Sequence, residues 1–215
     1  FATYQLALLG ADVIKIEQPG TGDQGRQMYP LDEGLRANGY SAIYLSANAG
    51  KRSITLDLKH PEAGEIIHRL VRDADVVVEN FKAGTMDRMD YGWDALRKIN
   101  PKLIYCAVTG FGQNGPRAQA AAYDPTIQAL SGMMAVNGTE ETGPMRVGAI
   151  VVVMASAISA SFAIAGALFK RERTGEGAMI DLSMQDVGAS LTSPNLLQTA
   201  FGFEPALMGS RSLSG

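Results

Sequence analysis

Residues 147 to 169 carry no charged side chain, a run long enough to dictate how the rest of the chain must pack around it. Lys170, Arg171, Glu172 and Arg173 come next, then a Thr174-Gly175-Glu176-Gly177 turn and an alternating run from Ala178 to Met184. Read physically, this is a long buried helix, a cationic last turn that complements the helix dipole, a glycine stop and a strand. A run of about 20 apolar residues also suffices to cross a bilayer. Here Gly148, Ser156, Ser159, Ser161 and Gly166 interrupt the run, and the helix proper is expected to begin near Val151. Small residues alternating with Ile158, Phe162 and Leu168 suit close packing inside a protein, so no membrane partner is expected.

Upstream, strand-like and helix-like stretches alternate. Asp12–Glu17 and Ser53–Asp57 alternate apolar and polar residues as half-buried strands do. Asp75–Glu79 and Leu103–Val108 are continuously apolar inside, as strands covered on both faces are. Pro61–Arg72 places Ala63, Ile66, Ile67 and Leu70 on one helical stripe, with Pro61 and Glu62 in its first turn. Trp93–Ile99 and Tyr123–Met134 read as further helices, and Pro19–Ala47 as a long surface loop with short helical pieces. Strands spaced by helices predict an α/β fold with an open, mainly parallel sheet and flanking helices.

A net charge of -3 gives no electrostatic case for nucleic acid. Cys106 is the only cysteine, which excludes disulfides and cysteine zinc sites within the chain and points to a reducing cytoplasm. His60 and His68 have no metal-ligand company in sequence, so no metal site is expected, and both are read as surface residues. Gly20-Thr21-Gly22-Asp23-Gln24-Gly25 matches the spacing of a dinucleotide fingerprint, but Pro19 precedes it and Arg26-Gln27-Met28-Tyr29-Pro30 opens no apolar helix. The strand end at Asn80 followed by Gly84, with a short helix opening near Thr85, could turn backbone N–H groups and Arg88 toward a phosphate.

The succession R-V-G-A-x-x-V-x-M-A-S, A-x-x-G-A-L-F-x-R-E-R-T-G-x-G and D-L-S-M-x-D resembles the class III CoA-transferases, the family also named after L-carnitine dehydratase and bile-acid-inducible proteins. Two more segments carry the likeness: Val76–Met89, and Asn48 to Lys59 with Asn48-Ala49-Gly50-Lys51-Arg52-Ser53 at its start. The resemblance implies a Rossmann-like large domain, with residues 1–215 a partial one. Its first strand and C-terminal small domain are expected to be missing, since Phe1–Leu9 opens as an uncapped helix and Ser210–Gly215 closes no element. It also implies acyl-CoA and carboxylic acid substrates, no permanently bound cofactor, and an interlocked homodimer at full length. CoA contacts are implied for Gln18, Arg26, Lys51, Leu56, Lys59, Asn80, Phe81, Thr85, Arg88 and Met89. Tyr123, Asp124 and Gln128 are implied near the acyl substrate.

In that family an aspartate opens the long helix as nucleophile. It attacks the thioester to give a mixed anhydride and CoA thiolate, and the thiolate then forms an aspartyl-CoA thioester. The pattern V-G-x-P-x-x-D-x-x-x-G is matched here by Val147-Gly148-Ala149-Ile150-Val151-Val152-Val153-Met154-Ala155-Ser156-Ala157. Proline, aspartate and glycine are thus replaced by Ile150, Val153 and Ala157. Valine holds no nucleophilic atom, so the expectation is a CoA-transferase relative impaired at its central step. Asp124, in an Asp-Pro helix start, reads as a cap. A non-catalytic CoA or acyl-CoA binder is the alternative. A racemase or dehydratase-like isomerase is a third reading, against which Tyr123 stands where the racemases carry histidine.

Overall fold

A computed structural model describes residues 1–29, 32–204, 206, 207 and 209, so the Ser210–Gly215 end lies outside the described residues. The helices are α1 (Ala2–Leu8), α2 (Glu33–Ala37), α3 (Ala42–Asn48), α4 (Ala63–Asp73), α5 (Trp93–Ile99), α6 (Asp124–Leu130), α7 (Met133–Val136), α8 (Val151–Thr174), α9 (Met184–Leu191) and α10 (Ser193–Ala200). The strands are β1 (Ile14–Glu17), β2 (Arg52–Thr55), β3 (Val76–Glu79), β4 (Ile104–Thr109), β5 (Gly138–Thr139), β6 (Gly143–Pro144) and β7 (Ala178–Ser183). The chain divides into two compact units.

The first unit comprises Phe1–Val77, Met86–Ile104 and Ser161–Ala178. In it β1 and β2 pair in parallel, with Ile14 opposite Arg52 and Glu17 opposite Thr55. β2 is exposed along its whole length rather than half-buried, and among the described residues its only strand neighbour is β1. α4 buries Ala63, Ile67 and Val71, a stripe of strict four-residue spacing. Ile66, expected on that stripe, is 40% exposed, because it sits one residue's rotation away from it. Asn100 ends α5 by donating to the carbonyls of Val71 (3.0 Å) and Ala74 (2.9 Å), which ties the two helices together. The C-terminal turn of α8 is fastened by Arg171, whose guanidinium meets Asp75 at 2.8 Å. The predicted glycine turn comes next: Gly175 has φ +76, and a Cβ on Gly177 would lie 2.3 Å from the Leu103 carbonyl oxygen.

The second unit comprises Val78–Thr85, Tyr105–Ala160 and the chain from Met179 onward. It holds most of a three-stranded sheet of order β3-β4-β7 and the antiparallel pair β5-β6. The continuously apolar β4 is central, and Tyr105, Cys106 and Ala107 are at most 2% exposed. Against it lies a core of Ile127, Met133, Val152 and Met184, flanked by Val108, Phe111, Ala122, Val147 and Val151. The helix expected over Tyr123–Met134 is broken in two, since Gly132 takes φ +81 and separates α6 from α7.

α8 begins at Val151 and runs 24 residues, as its pattern predicts. It is long and apolar enough to cross a membrane by length and composition, yet only 28% of its most apolar window is buried. The expectation of a fully buried helix is therefore corrected. Ile158, Phe162 and Phe169 are 54%, 81% and 66% exposed, because no element among the described residues covers that face.

Candidate active site and coenzyme surface

The opening of α8 is organised by a buried polar pair on α6. Tyr123 is extended (φ -123, ψ 161) and Pro125 fits the first turn, which sets Asp124 as the first helical residue. The Asp124 side chain makes no cap on its own helix. It reaches instead to α8, where its Oδ1 accepts from the Val153 N–H at 2.9 Å. The expected cap exists, but on a helix 29 positions further along the chain. Asp124 Oδ2 accepts from Gln128 Nε2 at 2.5 Å, and Gln128 Oε1 accepts from the Val147 N–H at 2.7 Å. Gln128 Nε2 also faces the carbonyls of Val147 and Ala149 at 3.3 and 3.4 Å. Asp124 is 5% exposed and Gln128 fully buried, so the bonds form in a low-dielectric setting where an unmet donor would be costly. An orphan N–H of the first helical turn thereby gains its acceptor.

Val153 is 36% exposed, not buried as the apolar pattern suggested. It lies in the first turn of the helix, about 140° around the axis from the exposed Ile158. Tyr123 is 73% exposed. The second unit thus brings Tyr123, Asp124, Gln128 and Val153 to one place.

The same unit holds the turn after β3. Asn80 Nδ2 donates to the Val108 carbonyl at 2.7 Å. The Phe81 N–H donates to Glu79 Oε2 at 2.7 Å and the Thr85 N–H to the Lys82 carbonyl at 3.0 Å. The Gly84 N–H is likewise taken, at 3.2 Å from Gln113 Oε1. The N–H groups of Phe81, Gly84 and Thr85 are therefore occupied within the protein. This turn presents side chains outward, with Asn80 and Phe81 exposed. Past it, in the first unit, the helix expected near Thr85 is a single 3-10 turn, Asp87–Met89. It is stopped by Asp90 in the left-handed region at φ +59. Arg88 is exposed there and Met89 half-buried.

The remaining expected residues lie in the first unit around a buried carboxylate. Glu17, at the end of β1, is gripped by Arg26, whose Nε and Nη2 each donate at 2.8 Å. Ser53 Oγ adds a donation to Glu17 at 2.8 Å. The Arg26 guanidinium also stacks on the Tyr44 ring at 3.8 Å and donates to the Gly39 carbonyl at 3.2 Å. Hydrogen bonding from Arg26 holds the Glu17 carboxyl far below the usual range, against the opposing effect of burial. This network closes one side of a cavity of about 400 Å³ lined by Gln18, Thr21, Arg26, Arg36, Asn38 and Ser53 among others. Of the expected CoA residues in this unit, Gln18 and Arg26 line that cavity, whereas Lys51, Leu56, Lys59, Arg88 and Met89 do not. Lys51 is half-buried and donates to Asn48 Oδ1 at 3.0 Å. Burial, helped by the nearby Lys15 charge, pulls its ammonium down to about 8. Leu56 is half-buried and Lys59 exposed.

Glu17, Tyr44, Arg36 and Asn38 have no motif that marks them in sequence. Their only signal is that β1 places Lys15 and Glu17 on one face, which names no partner. The G-x-G-x-x-G spacing does not open the long helix of a dinucleotide fingerprint, since its last two residues belong to a four-residue 3-10 helix (Gln24–Gln27). No group of three or more His, Cys, Asp or Glu able to hold a metal occurs among the described residues. Cys106 is fully buried, and burial followed by the Glu79 charge pushes its thiol up to about 12.

A family model described as CoA-transferase family III matches residues 1–214. A succinate–glutarate CoA-transferase of Agrobacterium fabrum is 42% identical over 212 residues, covering 97% of this chain and 53% of the relative. An acetyl-CoA:oxalate CoA-transferase of Acetobacter aceti is 43% identical over 214 residues, covering 98% and 54% respectively. Among solved structures, a CAIB/BAIF family protein from Brucella suis matches with a TM-score of 0.89 at 39% identity, over 97% of this chain and 55% of that one. The chain belongs to CoA-transferase family III, and its mixed α/β fold is that of the CaiB/BaiF proteins. It spans about half the length of the curated relatives it matches.

Proposed function

We propose that this chain is the CoA-binding part of an enzyme that transfers CoA between carboxylic acids, and that it cannot itself perform the covalent step. The observation that carries the proposal is residue 153. Its N–H is anchored by Asp124 at the start of α8, where the family resemblance calls for the nucleophilic aspartate, and its side chain is a valine. In the transfer reaction an aspartate oxygen bonds to the thioester carbonyl carbon, the C–S bond breaks, and CoA leaves as thiolate. An isopropyl group has no lone pair to start this. A non-catalytic acyl-CoA binder is favoured by the same valine, because the Val153 N–H at the helix start finds its acceptor in Asp124 without a carboxylate at 153.

The proposal includes Gln18, Arg26, Lys51, Leu56, Lys59, Asn80, Phe81, Thr85, Arg88 and Met89 as the coenzyme surface. It includes a homodimer at full length, supported by the exposed apolar face of α8, and a cytoplasmic location, supported by the unpaired Cys106. The test is exchange of labelled CoA between an acyl-CoA and free acids, with mass spectrometry for a covalent adduct. The chain as it stands should give neither turnover nor adduct, while Val153→Asp in the full-length protein should give an adduct at residue 153. Robust turnover with Val153 in place would refute the assignment.

A further inference from the structure

Residues 110–120, in the loop between β4 and α6, contact the turn after β3 through two glutamine side chains. Residues 110–120 are ordered by their own bonds: Ala120 N–H to the Arg117 carbonyl at 2.8 Å and Ala118 N–H to the Gly115 carbonyl at 3.3 Å. The Arg117 guanidinium lies over the Phe111 ring at 6.0 Å. Asp181, which points outward from β7, receives the Gln113 N–H on both carboxylate oxygens, at 3.1 and 2.9 Å. With its backbone fixed in this way, Gln113 offers Oε1 to the Gly84 N–H at 3.2 Å. Six residues on, Gln119 Nε2 donates to the Ala83 carbonyl at 2.9 Å.

We infer that Gln113 and Gln119 are positioning residues for the Asn80–Thr85 turn, and through it for the coenzyme. The inference rests on the proposed binding of CoA by this chain. The N–H groups of Phe81, Gly84 and Thr85 are committed inside the protein, so a ligand at these positions meets side chains whose directions are set by where the turn is docked. Its docking to the loop depends on bonds of opposite polarity, one glutamine accepting and the other donating. A turn already held in its bound arrangement loses less freedom when ligand arrives, and binding is tighter for that reason.

The polarity makes the inference testable by calorimetric titration of the full chain with CoA. Gln113→Met and Gln119→Met keep side-chain length and remove the acceptor and the donor. Each should weaken CoA binding about tenfold while moving the thermal midpoint little, since each bond is only part-buried and a single such bond contributes about 1 kcal/mol. Gln119→Lys retains a donor and should bind CoA near the parent level, whereas Gln119→Glu should match the methionine variant. Gln119 is exposed, so its variants fold even where a change at Gln113 does not, and they decide the matter alone. Parent-level affinity in Gln119→Met and Gln119→Glu would overturn the positioning role and leave the CoA reading intact. No heat with the unsubstituted chain at millimolar CoA would overturn both.

Discussion

Asp124→Ala is the substitution that most directly probes how the candidate active site is built. It deletes the acceptor of the Val153 N–H at 2.9 Å and that of Gln128 Nε2 at 2.5 Å. Loss of an N-terminal cap costs about 1 kcal/mol, within a range of about 0.5–2. Gln128 is fully buried and keeps only the 3.3 and 3.4 Å contacts to Val147 and Ala149, so its donor goes largely unmet, for about 1–3 kcal/mol more. The opposing gain is that a buried polar group no longer has to be desolvated, which trims the total to about 2–3 kcal/mol. For a domain of this size that corresponds to a midpoint lower by about 5–10 °C. Asp124→Asn should lose less: it still accepts from Val153, although its amide group then confronts a donor on Gln128. Thermal melts give the total, and amide hydrogen exchange gives its location. Faster exchange should be confined to the first turn of α8 and the 147–150 segment, with the Arg171 end unaffected. A neutral Asp124→Ala, or a loss of protection spread evenly along the helix, would refute the reasoning.

Three further predictions concern two buried titratable groups. Glu17→Ala leaves the Arg26 guanidinium without its carboxylate partner in a site where Glu17 is only 2% exposed, and should destabilise the protein by about 3–5 kcal/mol in urea unfolding. Because folding depresses the Glu17 carboxyl, its contribution is complete above the unfolded value of about 4.3 and is lost as pH falls below it. Urea midpoints between pH 7 and 3 should therefore decline less steeply in Glu17→Gln than in the parent, and parallel curves would exclude Glu17 as a source of acid sensitivity. Cys106, with its thiol raised to about 12 and no exposed surface, should react with maleimide only at the rate of unfolding, so labelling within minutes under native conditions would contradict its place in β4.

What the sequence made legible was local. β4 announced itself by an unbroken apolar run, and the stop after α8 by two glycines behind a cationic turn. The break between α6 and α7 was hidden because Gly132 looks like any tolerated helix glycine until its φ is known. The exposure of α8 was hidden because small residues alternating with large ones describe a packing surface without saying whether its partner lies in the same polypeptide. Asp124 could be read as a cap, but not as the cap of a helix elsewhere, and Glu17 with Arg26 is a pairing over nine positions that no spacing rule singles out. Aspartate, glutamine and arginine act at a distance through their side chains, so their partners emerge only once the chain is folded.

The bond from Asp124 ends on the main chain of residue 153, not on its side chain. Every amino acid except proline supplies the same N–H, so this position behaves as an interchangeable socket on an already finished frame. Chemistry can leave such a socket or return to it by one substitution without passing through a chain that fails to fold. In a lineage built this way, catalytic and silent members can lie a single mutational step apart, and an ancestor's reactivity is not legible from the stability of its descendants.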